Sequence, residues 1–164
     1  MAGSPKKRLA LDANLLLDLA EEEFAHEFRE EFQGRGYVLL VPPTVVAELN
    51  LLGTFGRLPQ RTLANVAMGK LVAWRCQPFP LSGTELAIAQ RFAVRLIDLR
   101  LIPDTEQNDG KILGQASLAQ IPLLVTSDKH LLDIDEDALL LAFNDADLAP
   151  VHPVHPKRLL RALR

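Results

Sequence analysis

Pro122-Leu123-Leu124-Val125-Thr126-Ser127-Asp128 is a short apolar run that opens on a proline and closes on two hydroxyls and a carboxylate. Such a run reads as a buried strand that delivers polar groups directly to the loop beyond it. Upstream, Asp109 opens a helical stripe continued by Leu113, Ala116 and Ala119. The N-terminal part repeats the pattern: Arg8-Leu9-Ala10-Leu11 is short, apolar and ends at Asp12. Tyr37-Val38-Leu39-Leu40-Val41 is another buried strand, stopped by Pro42-Pro43. Strands alternating with helices call for a parallel sheet covered by helices. The predicted architecture is an α/β three-layer sandwich with a central, mostly parallel sheet, formed as a single domain over residues 1–164.

The remaining segments fill in that frame. Ala20, Phe24, Phe28 and Phe32 recur at a spacing of four, with glutamates on the other faces, which predicts an amphipathic helix ended by Gly34 and Gly36. Thr44 is placed to cap a helix carrying Val45, Val46, Glu48 and Leu49. Gly53, Gly56 and Pro59 mark a loop, and Leu63, Val66, Ala67, Leu71 and Trp74 a helix after it. Gln77 to Leu81, broken by prolines, reads as a short edge strand. Leu86, Ala89, Phe92, Leu96 and Leu99 give another helical stripe, followed by a polar loop from Pro103 to Asn108. Leu139 to Phe143 reads as a last short strand, His152-Pro153-Val154-His155-Pro156 as a structural turn, and Pro156 as the start of a C-terminal helix.

Composition excludes several classes. Hydrophobic residues make up 48% and charged residues 24%, the balance of a globular chain. No apolar run approaches the roughly 20 residues needed to cross a bilayer. The basic start Lys6-Lys7-Arg8 is soon followed by Asp12, Asn14 and Asp18, a poor match to a signal peptide, so cytoplasm is the expected compartment. Cys76 is the one cysteine, which rules out an internal disulfide and argues against a cysteine-based zinc site. Net charge is −3, from 18 basic and 21 acidic residues, which does not favour passive adhesion to a polyanion. Aromatic residues are 5%, too few for base stacking to carry affinity, and Trp74 and the phenylalanines belong to core or interface.

In parallel sheets, ligands bind beyond the carboxyl ends of the strands. Asp12 and Asp128 each follow a strand there, Glu48 lies in the helix after the second strand, and Asp109 stands in the first turn of its helix. Taken singly, each has an ordinary explanation: Asp12 and Asp128 as helix caps, Glu48 as part of an exposed helix face, Asp109 as a first-turn acid. Three of these positions face one edge of the sheet and Asp109 lies near a helix N-terminus; crowded together, such carboxylates repel one another and ask for a cation. Mg²⁺ and Mn²⁺ are the hard ions that oxygen ligands suit, and an acidic pocket holding them hydrolyses phosphodiesters.

In this ordered set the chain resembles the PIN-domain family of metal-dependent ribonucleases. The residues that carry the likeness are Leu11-Asp12-Ala13-Asn14, Val46-Ala47-Glu48-Leu49, Asn108-Asp109-Gly110-Lys111-Ile112-Leu113 and Val125-Thr126-Ser127-Asp128-Lys129. The resemblance implies a doubly wound domain with an acidic site for one or two Mg²⁺ or Mn²⁺ ions. Asp12, Glu48, Asp109 and Asp128 match the acids of that site, Asn14 a polar position beside the first, and Thr126 or Ser127 a hydroxyl that orients the last. It also implies an RNA substrate, an antitoxin partner as in bacterial toxin–antitoxin pairs, and a homodimer. Asp104 competes with Asp109 for the third acid. Asp109 is preferred because it begins the helix with apolar inner turns. Gly110 replaces a bulkier residue and is expected to loosen that helix start. Lys129 and the terminal arginines are candidates for phosphate contact.

Two other classes compete. A phosphatase of the haloacid dehalogenase type needs Asp-x-Asp, which Asp12-Ala13-Asn14 lacks, and a receiver-like switch needs paired acids after its first strand. A PIN-like domain that binds RNA or protein without cleaving is the other alternative.

Overall fold

The computed structural model describes residues 7–21 and 24–163. At its centre lies β1 (Lys7–Leu11), whose Leu9, Ala10 and Leu11 are fully buried. Continuous burial of successive residues is what a strand covered on both faces requires. With β2 (Tyr37–Val41), β3 (Cys76–Pro78), β4 (Leu123–Val125) and β5 (His152–Val154) it forms a five-stranded sheet in the order β3-β2-β1-β4-β5, with every pairing parallel. The helices are α1 (Ala13–Glu21), α2 (Phe24–Gly34), α3 (Pro43–Phe55), α4 (Gln60–Lys70), α5 (Gly83–Asp98), α6 (Gln107–Leu118), α7 (Lys129–Leu132), α8 (Glu136–Asp145) and α9 (Pro156–Leu163). The sheet flanked by helices is the expected α/β architecture, and its parallelism is complete among the described strands.

The strand order fixes where a site can form. From β1 the chain moves outward to β2 and β3, then returns to lay β4 on the other side of β1. The crevice beyond the carboxyl ends of β1 and β4 is therefore the topological switch point, where parallel sheets bind ligands. Asp12 and Asp128 stand at the ends of those two strands.

Several local expectations need correction. Leu139 to Phe143 is helical, part of α8. Leu139, Ala142 and Phe143 are buried while Leu140 and Leu141 are exposed, a helical spacing that an unbroken apolar run conceals. The last strand is instead His152–Val154, inside the segment expected to be a turn. Its backbone pairs with the β4 region through His152 N to Pro122 O at 2.9 Å and Thr126 N to Val154 O at 3.0 Å. Pro153, between them, points its missing N–H away from β4 at the sheet edge, where proline is tolerated. The other edge strand is Cys76–Pro78, a shorter and earlier segment than Gln77 to Leu81.

The stripe through Ala20, Phe28 and Phe32 is divided between α1 and α2, with Glu22 and Glu23 outside the described residues. Trp74 lies beyond the end of α4, in a turn that leads to β3. Thr44 does not cap α3. Pro42 holds that position without a side-chain bond, and Thr44 pairs with Gln115 instead, N to Oε1 at 3.0 Å and Nε2 to Oγ1 at 2.7 Å. This pair ties α3 to α6 just below the sheet edge. Gly110 does not loosen α6. A Cβ there would stand 2.7 Å from Ala93 Cα and Cβ, so glycine is what lets α6 lie against α5.

Candidate active site

Asp12 leaves β1 with its amide bonded to Val125 O of β4 at 3.1 Å, so the two central strands hold it from the backbone. Its side chain is 2% exposed. Oδ1 accepts from Ala13 N at 2.8 Å, and Oδ2 accepts from the Thr126 hydroxyl at 2.7 Å. Thr126 Oγ1 in turn accepts from Asp128 N at 3.0 Å. One hydroxyl thus fixes both strand-end acids. Asp128 Oδ1 accepts from His130 N at 2.9 Å, capping α7, while Asn14 Nδ2 approaches its Oδ2 at 3.5 Å. Ser127 turns to the rim, where its hydroxyl donates to Asp18 Oδ2 at 2.9 Å.

Glu48 reaches the cluster from α3, with its carboxylate bonded by the Asn108 side chain. Asp109, in the first turn of α6, is buried, and its Oδ2 has no hydrogen-bond partner. Asp104 sits in the 3₁₀ turn Asp104–Glu106, exposed to solvent. The structure therefore brings Asp12, Glu48, Asp109 and Asp128 together and leaves Asp104 outside. Glu106 joins them, although the sequence reading passed over it. Carboxylate oxygens of Glu106, Asp109 and Asp128 lie within 4.8 Å of one another. The signal was present: Glu106 precedes Asp109 by three residues where a helical turn begins, and such residues share a face.

The electrostatics follow from this crowding. Burial raises the Asp12 pKa from 3.8 to about 6, against the opposing bonds from Thr126 and Ala13 and with added repulsion from Asp128 and Asp18. Burial and then the Asp12 charge raise Glu48 from 4.5 to about 7, opposed by Asn108. Asp109 is raised by burial and by repulsion from Asp128, Asp12, Glu106 and Glu48. An uncompensated carboxylate group of this kind calls for protons or a cation. The unpartnered Asp109 oxygen among four other acids suits a hard divalent ion with oxygen ligands.

Cationic side chains lie further out. Lys129 is exposed beside Asp128. Lys157 and Arg158 are exposed at the start of α9, which leaves β5 at the same sheet edge. Lys7 and Arg8 start β1 and so stand at the opposite edge, Arg8 Nη2 donating to Gln120 O at 2.9 Å. Lys6 and Arg164 lie outside the described residues. His152 begins the edge strand β5 with Nδ1 3.6 Å from Glu136 Oε1, and His155 Nδ1 accepts from Lys157 N at 3.1 Å; among the described residues neither joins a group of three or more metal-ligating side chains.

A five-stranded parallel sheet in this order, flanked by helices, is a PIN-like fold. Solved structures bear this out over most of the chain. A chain of VapBC-1 from nontypeable Haemophilus influenzae matches with 15% identity and a TM-score of 0.57, covering 92% of this chain and 98% of that one. A chain of VapBC2 from Rickettsia felis, bound to a DNA fragment from their promoter, matches with 14% identity and a TM-score of 0.60, covering 90% and 98%. A chain of FitAcB from Neisseria gonorrhoeae matches with 18% identity and a TM-score of 0.52, covering 90% and 97%. At these identities the likeness is one of fold. No protein-family model and no curated protein matches the sequence. No helix among the described residues is long and apolar enough to cross a membrane.

Proposed function

We propose that the protein is a Mg²⁺- or Mn²⁺-dependent endoribonuclease. The observation that carries this reading is the convergence of Asp12, Glu48, Asp109 and Asp128 at the switch point of the sheet, with one buried carboxylate oxygen left unpartnered. These four residues would hold the metal. When bound, a divalent metal supplies a water activated at neutral pH and positive charge for the phosphoryl oxygens.

The chain's own groups do the rest. Thr126 and the Ala13 amide fix both oxygens of Asp12, which sets the direction of its remaining lone pairs. Asn108 orients Glu48, and Asn14 steadies Asp128. Lys129 is placed to meet a phosphate arriving at the acidic edge, the role in which a lysine positions a nucleic acid without reading its sequence. The same reading carries the family's further expectations: an antitoxin partner, a homodimer and a cytoplasmic setting. Leu51 and Phe55, one helical turn apart on α3 and 61% and 78% exposed, are apolar surface that a protein partner or second copy would cover.

The test is cleavage of labelled RNA with Mg²⁺, Mn²⁺ or chelator. Cleavage with metal, lost with chelator and lost in Asp12→Asn, is expected. Equal cleavage by wild type and Asp12→Asn would sink the assignment. Metal binding without cleavage of any RNA would favour a PIN-like binding domain.

A further inference from the structure

We propose that Glu106 is a metal ligand, completing with Asp109 and Asp128 a cation position on the outer side of the acidic site. The inference rests on the metal-dependent reading above and names a residue that reading does not contain. Its ground is geometric. Glu106, Asp109 and Asp128 are the described residues whose carboxylate oxygens come within 4.8 Å of one another, a compact arrangement that Asp12 and Glu48 do not share. Three like charges at that separation are unfavourable unless a cation lies among them.

Asp109 supplies an independent indication. It is buried at 6% exposure, its Oδ2 lacks any hydrogen-bond partner, and it is repelled by Glu106 and Asp128 as well as by the two inner acids. Buried polar oxygens are almost always satisfied, so an oxygen left bare among carboxylates marks a place for a ligand with positive charge. Hard divalent ions accept such oxygens and retain water on their open side. Glu106 and Asp128 are half-buried and Asp109 is buried, so the three carboxylates lie partly open to solvent. The His130 ring is the basic side chain nearest Glu106, Nε2 standing 4.0 Å from Oε1, beyond hydrogen-bond length, which leaves the carboxylate available. The local sequence explains the placement. The turn Asp104–Glu106 runs directly into α6, so Glu106 and Asp109 project from the same side of one turn while Asp104 faces solvent.

The test is an Mn²⁺ titration followed by the electron paramagnetic resonance signal of free Mn²⁺, on full-length wild type, Glu106→Gln and Asp104→Asn. Asp104→Asn removes the same charge from the same turn outside the triad. Glu106→Gln should weaken Mn²⁺ binding by about tenfold or more, while Asp104→Asn stays within about twofold of wild type, because ligation is local and the exposed charge is screened. Unchanged binding in Glu106→Gln, or equal weakening in both variants, would overturn the assignment while leaving the metal site itself standing. Absence of Mn²⁺ binding by wild type would instead remove the metal-dependent reading and this inference together. Thermal unfolding of each variant without metal checks folding, and Glu106→Gln should melt no lower than wild type.

Discussion

The Thr126 hydroxyl donates to Asp12 Oδ2 at 2.7 Å, and Thr126 Oγ1 itself accepts from the Asp128 amide at 3.0 Å. Thr126 is fully buried. A single side chain on the β4 edge therefore sets the first acid and the backbone of the last. Thr126→Val keeps the shape and removes the hydroxyl, leaving Asp12 short of one donor and the Asp128 amide short of one acceptor. Expected is a loss of about 1.5–3 kcal/mol of stability, the range for hydrogen bonds to charged groups. Metal affinity should fall with it, because the Asp12 pKa rises further when that bond is gone. Thr126→Ser should recover most of both. Urea unfolding with and without Mn²⁺ measures each effect.

The acids also set a pH dependence. Asp12 and Glu48 have ordinary pKa values of 3.8 and 4.5 and folded values of about 6 and about 7. Between those limits the folded chain holds protons that the unfolded chain has released. Stability of the metal-free protein should then fall as pH rises from about 4 to about 8, because Asp109, raised to about 8, follows the same course. The usual pattern for salt-bridged carboxylates is the reverse. Chemical denaturation in chelator at roughly pH 5 and pH 8 should give the higher midpoint at the lower pH. Added Mn²⁺ should raise the midpoint far more at the higher pH, where the carboxylates are ionised and need no displacement of protons.

Much of this was legible in the sequence because strand ends announce themselves. Leu11-Asp12 and Val125-Thr126-Ser127-Asp128 are buried runs that stop at polar residues, and a parallel sheet carries such ends to one edge. The failures have physical causes. Leu139 to Phe143 carries no polar residue to reveal its period, so helix and strand look alike until burial separates them. His152–Val154 contains a proline, and only its position at the sheet edge makes the strand permissible. Glu106 was hidden for another reason. It lies in a loop whose several acids are equivalent in sequence, and only the phase of α6 separates Glu106 and Asp109, which turn inward, from Asp104 in solvent.

Gly110 gives a prediction about packing beside the site. The space for its Cβ is occupied by Ala93 Cα and Cβ at 2.7 Å, on the backbone of α5. Gly110→Ala should force the helices apart and cost about 1–3 kcal/mol, as overpacking does. Because Asp109 precedes it, Mn²⁺ affinity should drop as well. Gly69, in α4, has nothing within 4 Å of an added Cβ. Gly69→Ala should be neutral or stabilising by up to about 1 kcal/mol, through helix propensity and the unfolded state. Paired urea midpoints decide whether contact or propensity governs the two positions.

Asp109 separates stability from function most sharply. In the metal-free chain its charge is disfavoured by burial and by four neighbouring acids, and one of its oxygens has no donor. Asp109→Asn keeps the volume, removes the charge and adds an amide that can donate to Asp128 or Glu106. The metal-free variant should be more stable than wild type at roughly pH 8, by about 1.4 kcal/mol or more, which is the worth of one pKa unit. That advantage should shrink as pH falls below about 8 toward 5, because folded wild-type Asp109 then carries a proton. Mn²⁺ should stabilise wild type and leave the variant nearly unchanged, and RNA cleavage should be lost. A residue retained only as a first-turn acid of α6 would give the opposite sign, because the helix dipole favours the charged form and Asn would then destabilise. Denaturant midpoints for the two proteins, at both pH values and with and without Mn²⁺, distinguish a carboxylate kept for a cation from one kept for its helix.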